Sequence, residues 1–106
     1  MTLSLPEGAI KYSQTKTYNE TTIPKPLLSN HSTKPNSWGL IVIEAGKLIY
    51  TRIDKPPQTL TEVTPGVILP GELHQISPQG PVSFHVEFYH DPDITASGRD
   101  SEEVGL

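Results

Sequence analysis

Few side chains in this 106-residue sequence can do chemistry, and its four histidines are the most versatile of them. His31 follows Leu27-Leu28-Ser29-Asn30, and His74 follows a turn at Pro70-Gly71. His85 lies within the segment Val82 to Tyr89, and His90 stands at its end, beside Asp91-Pro92, in a position that reads as surface. Neutral imidazole is a ligand for Zn, Fe, Ni or Cu, and it is also the side chain that titrates closest to neutral pH. In the segment 82–89, strand alternation would place Val82, Phe84, Val86 and Phe88 on one face. Ser83, His85, Glu87 and Tyr89 would share the other. His85 and Glu87 would then project together, about 7 Å apart along the strand. Two arrangements are open. Either this polar pair faces an interior cup, or the Val/Phe face fills the core and the pair is wet. In the first case four apolar side chains face outward and need a cover. The N-terminal segment or a second subunit would supply it, a symmetric dimer being the favoured form.

The elements that must position these residues are short and extended. Eleven prolines run from Pro6 to Pro92, and the longest stretch without Pro or Gly, residues 9–23, has fifteen residues. That excludes a helical bundle, which needs several helices of about ten or more residues. Leu40-Ile41-Val42-Ile43 is apolar on both alternating faces, as expected of a strand buried on both sides. Glu44-Ala45-Gly46 reads as a turn, and 47–53 as the returning strand of a hairpin. Short strands are expected at 59–63, 67–69 and 74–77, and the clearest at 82–89, rich in β-branched and aromatic residues. The Thr- and Pro-rich segment 16–26 reads as extended chain with an edge strand, where proline is tolerated. Many short strands with Gly and Pro turns point to a sandwich or barrel. The chain divides into one β domain, 1–92, and a polar tail, 93–106.

Composition removes several functions. The net charge of −4, with eight basic and twelve acidic residues, does not give the clustered basic footprint of a nucleic-acid binder. No run approaches the roughly 18 apolar residues of a membrane span. The absence of cysteine excludes disulfides, thiol redox chemistry and cysteine zinc fingers. The N-terminus has no basic start and no long apolar run, so the cytoplasm is the expected compartment. No Gly-rich phosphate loop is visible, so no nucleotide cofactor is expected. No nucleophilic triad or acid/base pair can be read either, which leaves catalysis an open question.

Pro65-Gly66, Pro70-Gly71 and His74 resemble, with shortened spacing, the second sequence motif of cupins. The strand ending at Gly46 is similar to the end of the first, with His31 near the first motif's histidines and Thr33 where a second would stand. A narrower resemblance rests on Leu5-Pro6-Glu7-Gly8, Thr22-Ile23-Pro24, Leu27-Leu28 with His31-Ser32-Thr33-Lys34, and Trp38-Gly39 running to Gly46. It continues through Pro65-Gly66-Val67-Ile68, Pro70 with His74, and Gly80-Pro81-Val82 to Val86-Glu87-Phe88-Tyr89. Over residues 5–90 the chain resembles the small cupin-like domain of the tellurite-resistance protein B family. That resemblance implies a single-domain, all-β, cupin-type double-stranded β-helix, or jelly roll, with a metal-capable cup. It implies His31, His74 and Glu87 as recurring polar positions, with His85 as a further candidate ligand. The expected metal is divalent, with Zn, Fe, Mn and Ni not distinguished, and the expected partner is a small molecule or an oxyanion. The alternative is a metal-free sensor or interaction module using the same cup. The methyltransferase half of longer relatives has no counterpart here.

Overall fold

Two long strands carry the fold. In the computed structural model, which describes residues 4–29 and 31–90, β3 spans Ser37–Arg52 and β6 spans His74–His90. They pair antiparallel along their whole length, from Ser37↔His90 to Arg52↔His74. Two short strands, β1 (Ile10–Gln14) and β2 (Tyr18–Asn19), line the other side of β6. Two more, β4 (Gln58–Leu60) and β5 (Gly66–Ile68), line the other side of β3. The result is an all-β, six-stranded antiparallel sheet whose strand order, β1-β6-β3-β4, does not close into a ring. A 3-10 turn, Lys25–Leu28, follows Pro24 and leads toward His31. The polar segment 93–106 lies outside the described residues.

The segment Glu44-Ala45-Gly46 does not reverse the chain, so the expected hairpin is absent. The reason lies in the partner strand. β6 continues past Pro78 to Val82, and β3 stays paired with it through two irregularities, at Ile43/Ala45 and Gly46/Leu48. Bulges of this kind bend a strand without ending it, and they accommodate prolines that a regular ladder excludes. Pro78 and Pro81 both sit at this bend, where four steps of β6, from Pro78 to Val82, face two of β3, from Gly46 to Leu48. The bulges also shift the alternation of β3, so that the same sheet face is buried through odd positions before them and even positions after them. Ile41 and Ile43 are buried before them, Leu48 and Tyr50 after them.

The bent sheet folds over its own inner face. Tyr50, in the second half of β3, donates its hydroxyl to the Val67 carbonyl at 2.7 Å, although β5 pairs with the first half. A side chain at Gly66 would meet Leu60 at 2.7 Å and Tyr50 at 3.1 Å, so β5 lies directly against β4 and Tyr50. The core between them gathers Ile41, Leu48, Leu60, Ile76 and Phe84, with Val82, Val86 and Phe88 on the same side. Full burial of side chains such as Leu48 and Phe84, both 0% exposed, contributes roughly 1.5–3 kcal/mol each. The Val/Phe face of β6 is therefore core, and the ground for expecting a second subunit over it falls away. Leu40 and Val42 are half-buried on the opposite face, so the expected burial of that strand on both sides is met on one side only.

Two glycines at the bend share a left-handed backbone but not the same surroundings. Gly46 has φ +84° and Gly80 φ +82°. A Cβ at Gly46 would collide with the Pro81 carbonyl oxygen and lie 2.9 Å from the Val82 Cα, whereas one at Gly80 would meet nothing within 4 Å. Gly80→Ala should cost only the conformational term of about 1–2 kcal/mol. Gly46→Ala should cost roughly 1–3 kcal/mol more, because backbone must move to admit the methyl group. Urea unfolding of the two variants checks this, and equal losses would contradict the close approach of the two long strands.

Candidate functional site

The sheet divides the four candidate ligands into two pairs on opposite faces. His74 opens β6 with its side chain on the core side, in phase with Ile76, Val82 and Phe84. His31 reaches it from outside the sheet. The two residues form an isolated bridge, His31 N–H to His74 O at 2.8 Å and His74 N–H to His31 O at 2.7 Å. Their rings meet edge to face with centroids 5.8 Å apart, and Tyr50 packs edge-on against His74 at 5.9 Å. The Nδ1–H of His74 donates to the Glu72 carbonyl at 3.1 Å, which fixes the tautomer and leaves Nε2 with its lone pair. His74 is 2% exposed. Burial holds its pKa below the usual histidine value; the Glu72 hydrogen bond opposes this and the neighbouring His31 reinforces it. The ring is therefore neutral at pH 7. The Nε2 of His31 is buried without a protein partner.

These two histidines end a pocket of about 140 Å³. Tyr18, Leu27, Ile68, Val86 and Phe88 form its apolar wall, with Pro24 and Pro26 beside them. Thr15, Thr33 and the histidines supply its polar groups, and among the described lining residues there is no Lys, Arg, Asp or Glu. Thr33 is committed to the frame. Its hydroxyl donates to the Ser37 carbonyl at 2.8 Å and accepts from the Gly71 N–H at 3.4 Å. It thus ties the His31 segment to the turn that presents His74. The same turn is held from the other side by a bidentate Arg52–Glu72 pair at 2.8 and 3.1 Å.

His85 and Glu87 lie on the outer face, half-buried. The ring of His85 stands between two carboxylates. Its Nδ1–H donates to Glu44 Oε2 at 2.7 Å and its Nε2–H donates to Glu87 Oε2 at 2.9 Å. Both ring nitrogens face carboxylate acceptors, an arrangement that favours the doubly protonated, cationic ring. Burial alone would lower the His85 pKa, but the bonds to Glu87 and Glu44 outweigh it and raise the value. Glu87 is lowered despite its burial, by hydrogen bonds from His85 and Tyr89 with Lys11 nearby. Glu44 is lowered by hydrogen bonds from His85 and Thr17. Tyr89 donates to Glu87 Oε1 at 2.7 Å and is itself pushed up to about 12. Lys11 completes the series 3.6 Å from Glu87.

Of the four expected ligands, His31 and His74 come together, and His85 and Glu87 come together, but the pairs do not share a space. The cause is strand parity: position 74 belongs to the inward set of β6, positions 85 and 87 to the outward set. Among the described residues, no group of three or more His, Asp or Glu side chains is placed to hold a metal ion. The outer three fail because the two nitrogens of His85 point away from each other, toward separate carboxylates. Sequence reasoning missed Glu44, taken as a turn residue, and Thr33, Glu72 and Tyr89. The cross-strand register Val42↔His85 would have brought Glu44 to mind, had the strand been read as continuous. His90 is half-buried, stacked on Tyr12 with centroids 3.9 Å apart, rather than a free surface residue.

Residues 13–86 match the family model of the TehB-like domain. No curated protein matches the chain. Among solved structures, a protein from E. coli (strain K12) superposes with a TM-score of 0.78 at 19% identity, covering 86% of this chain and 99% of that one. TehB from Haemophilus influenzae superposes with a TM-score of 0.76 at 18% identity, covering 86% of this chain. The matched region is 34% of that TehB chain, so this chain corresponds to about a third of it.

The outer ladder predicts a specific pH profile. His85 has a folded pKa above its ordinary 6.5, so its contribution is complete below that pH and is lost as pH rises through the raised value. Glu44 and Glu87 have folded values below their ordinary 4.5, so their contribution is lost as pH falls through the lowered values. The stability difference between wild type and His85→Gln should therefore be widest between pH 4.5 and 6.5 and shrink on both sides. Buried His74 acts in the opposite sense below pH 6.5 and cancels in the difference. Urea midpoints across pH for both proteins measure this, and a difference independent of pH would refute the ladder.

Proposed function

We propose that this chain, which belongs to the TehB-like family, is a small-molecule-binding module that works without turnover, taking its ligand in the inner pocket against His31 and His74. One observation carries the reading. A pocket of benzene-like volume is lined by His31, whose buried Nε2 has no protein partner. Buried polar atoms are nearly always satisfied, and an exception in a residue that lines a cavity marks a place for something else to bind. Nothing in the pocket supplies a nucleophile with its base, or an acid/base pair, which favours binding over catalysis. The family supports a role in the response to toxic oxyanions, with this domain as its sensing or docking part. We carry the cupin relationship as part of the same reading, the bent sheet serving as the wall of a cup.

The divalent metal implied by the resemblance is the second reading, and the imidazole nitrogens of the pocket support it. The fixed tautomer of His74 and the unpartnered His31 Nε2 are the kind of nitrogen donors a metal takes. Two nitrogens are fewer than the three or four protein ligands of ordinary zinc sites, and the lining adds no carboxylate. The donor set therefore favours the metal-free form.

Two measurements separate the readings. Xenon dissolved under pressure should shift the methyl NMR signals of Leu27, Ile68 and Val86 in a saturable way, since apolar cavities of about this size take xenon. Leu27→Trp, which fills the pocket, should abolish the shifts. Elemental analysis of protein purified without an affinity tag should find far less than one metal per chain, in wild type and in His74→Ala alike. About one equivalent in wild type, lost in His74→Ala, would establish the metal reading instead. Unshifted methyl signals would remove the pocket from consideration.

A further inference from the structure

We infer that the inner pocket takes an uncharged ligand of about the size of benzene that carries a hydroxyl group, the hydroxyl seated at His31 and His74. The inference rests on the pocket being a ligand site. Size comes first. The volume of about 140 Å³ is close to that of an apolar protein cavity, about 150 Å³, that holds one benzene. The body of the ligand would lie against Leu27, Ile68, Val86 and Phe88, where no polar group competes for it.

The hydrogen-bond inventory sets the head group. His74 spends its only proton on the Glu72 carbonyl, so toward a ligand its Nε2 can only accept. His31 Nε2 is buried and has no partner in the protein. Thr33 is already used in both directions, by Ser37 and Gly71. A hydroxyl donates one hydrogen bond and accepts others, so it can give its proton to His74 and serve His31 in either tautomer. A hydrocarbon would leave the buried His31 Nε2 unsatisfied, which costs more than the bond itself is worth in water.

Charge sets the rest. Among the described lining residues there is no Lys or Arg to receive an anion, and burial, with His31 nearby, disfavours the cationic form of His74. A carboxylate or a dissociated oxyanion would give up its hydration without a counter-charge, a large penalty in an apolar wall. The oxyanions associated with the family's name are thus a poor match for this pocket in their ionised form. A ligand cation fares no better, because no carboxylate is among the described lining residues.

The test is an NMR titration of the full chain at pH 7.5 with phenol, benzene and benzoate. The imidazole signals of His31 and His74 and the wall methyls are the readout. Phenol should bind roughly tenfold more tightly than benzene, the worth of a good hydrogen bond to a buried partner. Benzoate should bind at least tenfold more weakly than phenol. In His31→Phe the preference for phenol over benzene should fall, the bond to His74 remaining, while benzene still binds. Equal affinity for phenol and benzene in wild type would overturn the hydroxyl inference while leaving the pocket a ligand site. Benzoate binding as tightly as phenol, with imidazole shifts, would overturn the requirement for a neutral ligand. No saturable shift with any of the three would overturn both this inference and the pocket reading beneath it. The order of the three probes in wild type decides the matter even if His31→Phe does not fold.

Discussion

The uninterrupted pairing of β3 with β6 is the constraint on which the rest of the molecule depends. Each strand alone is too irregular to persist, since β3 carries Gly39 and Gly46 and β6 carries Pro78, Gly80 and Pro81. Paired, they bend at the same place. Gly46 lets the Pro81 carbonyl approach so closely that no side chain fits between them, and the extra residues of β6 are absorbed in the bulge opposite. A straight two-stranded ribbon would leave its apolar face open to water. The shared bend folds the sheet over that face, which is how Tyr50 can reach Val67 and why Leu60 packs on Gly66.

The same bend determines which histidines can meet. Because β6 keeps its parity through the bulge, His74 stays in phase with the core residues 82, 84, 86 and 88, while 85 and 87 stay out of phase. His31 then arrives through a two-hydrogen-bond bridge on the free side of His74. The Thr33 clamp and the Arg52–Glu72 pair hold the surrounding turn from both sides. A pocket with few polar atoms is thus framed by polar groups that are all spoken for except those facing it.

Much of this was legible in the sequence, and the illegible part has identifiable causes. The proline spacing excludes a helical bundle, the alternation in 82–89 defines two faces, and the Thr- and Pro-rich segment 16–26 points to one edge strand, met by the two residues of β2, while β1 at Ile10–Gln14 carries no such signal. The choice between the two faces of 82–89 was not local. It turns on what covers Phe84, and that depends on long-range folding of the sheet. The hairpin expected at Glu44-Ala45-Gly46 failed for a similar reason. A glycine in a left-handed conformation reads alike in a turn and in a bulge, and only the partner strand tells them apart. Once that hairpin was assumed, Glu44 became a loop residue and its bond to His85 could not be seen. The resemblance singles out His31 and His74, and the structure brings the two together, with Thr33, where the cupin motif would have a histidine, tying their segments through Ser37 and Gly71.

The two histidine pairs show how one residue type is set to opposite states by its neighbours. His74 has a carbonyl as its only protein acceptor and apolar walls around it, so it remains neutral and keeps a lone pair. His85 has a carboxylate at each nitrogen, so it holds both protons and has no lone pair to offer. A metal or a hydrogen-bond donor needs the first kind of histidine and cannot use the second. The carboxylates that would complete a metal site are on the outer face, spent on a cation the protein already carries. Moving Glu87 inward would require a one-residue slip of β6, which would turn Phe84 and Phe88 out to water. The four candidate ligands therefore stand on two faces of the sheet, and the pocket holds two imidazoles against an apolar wall.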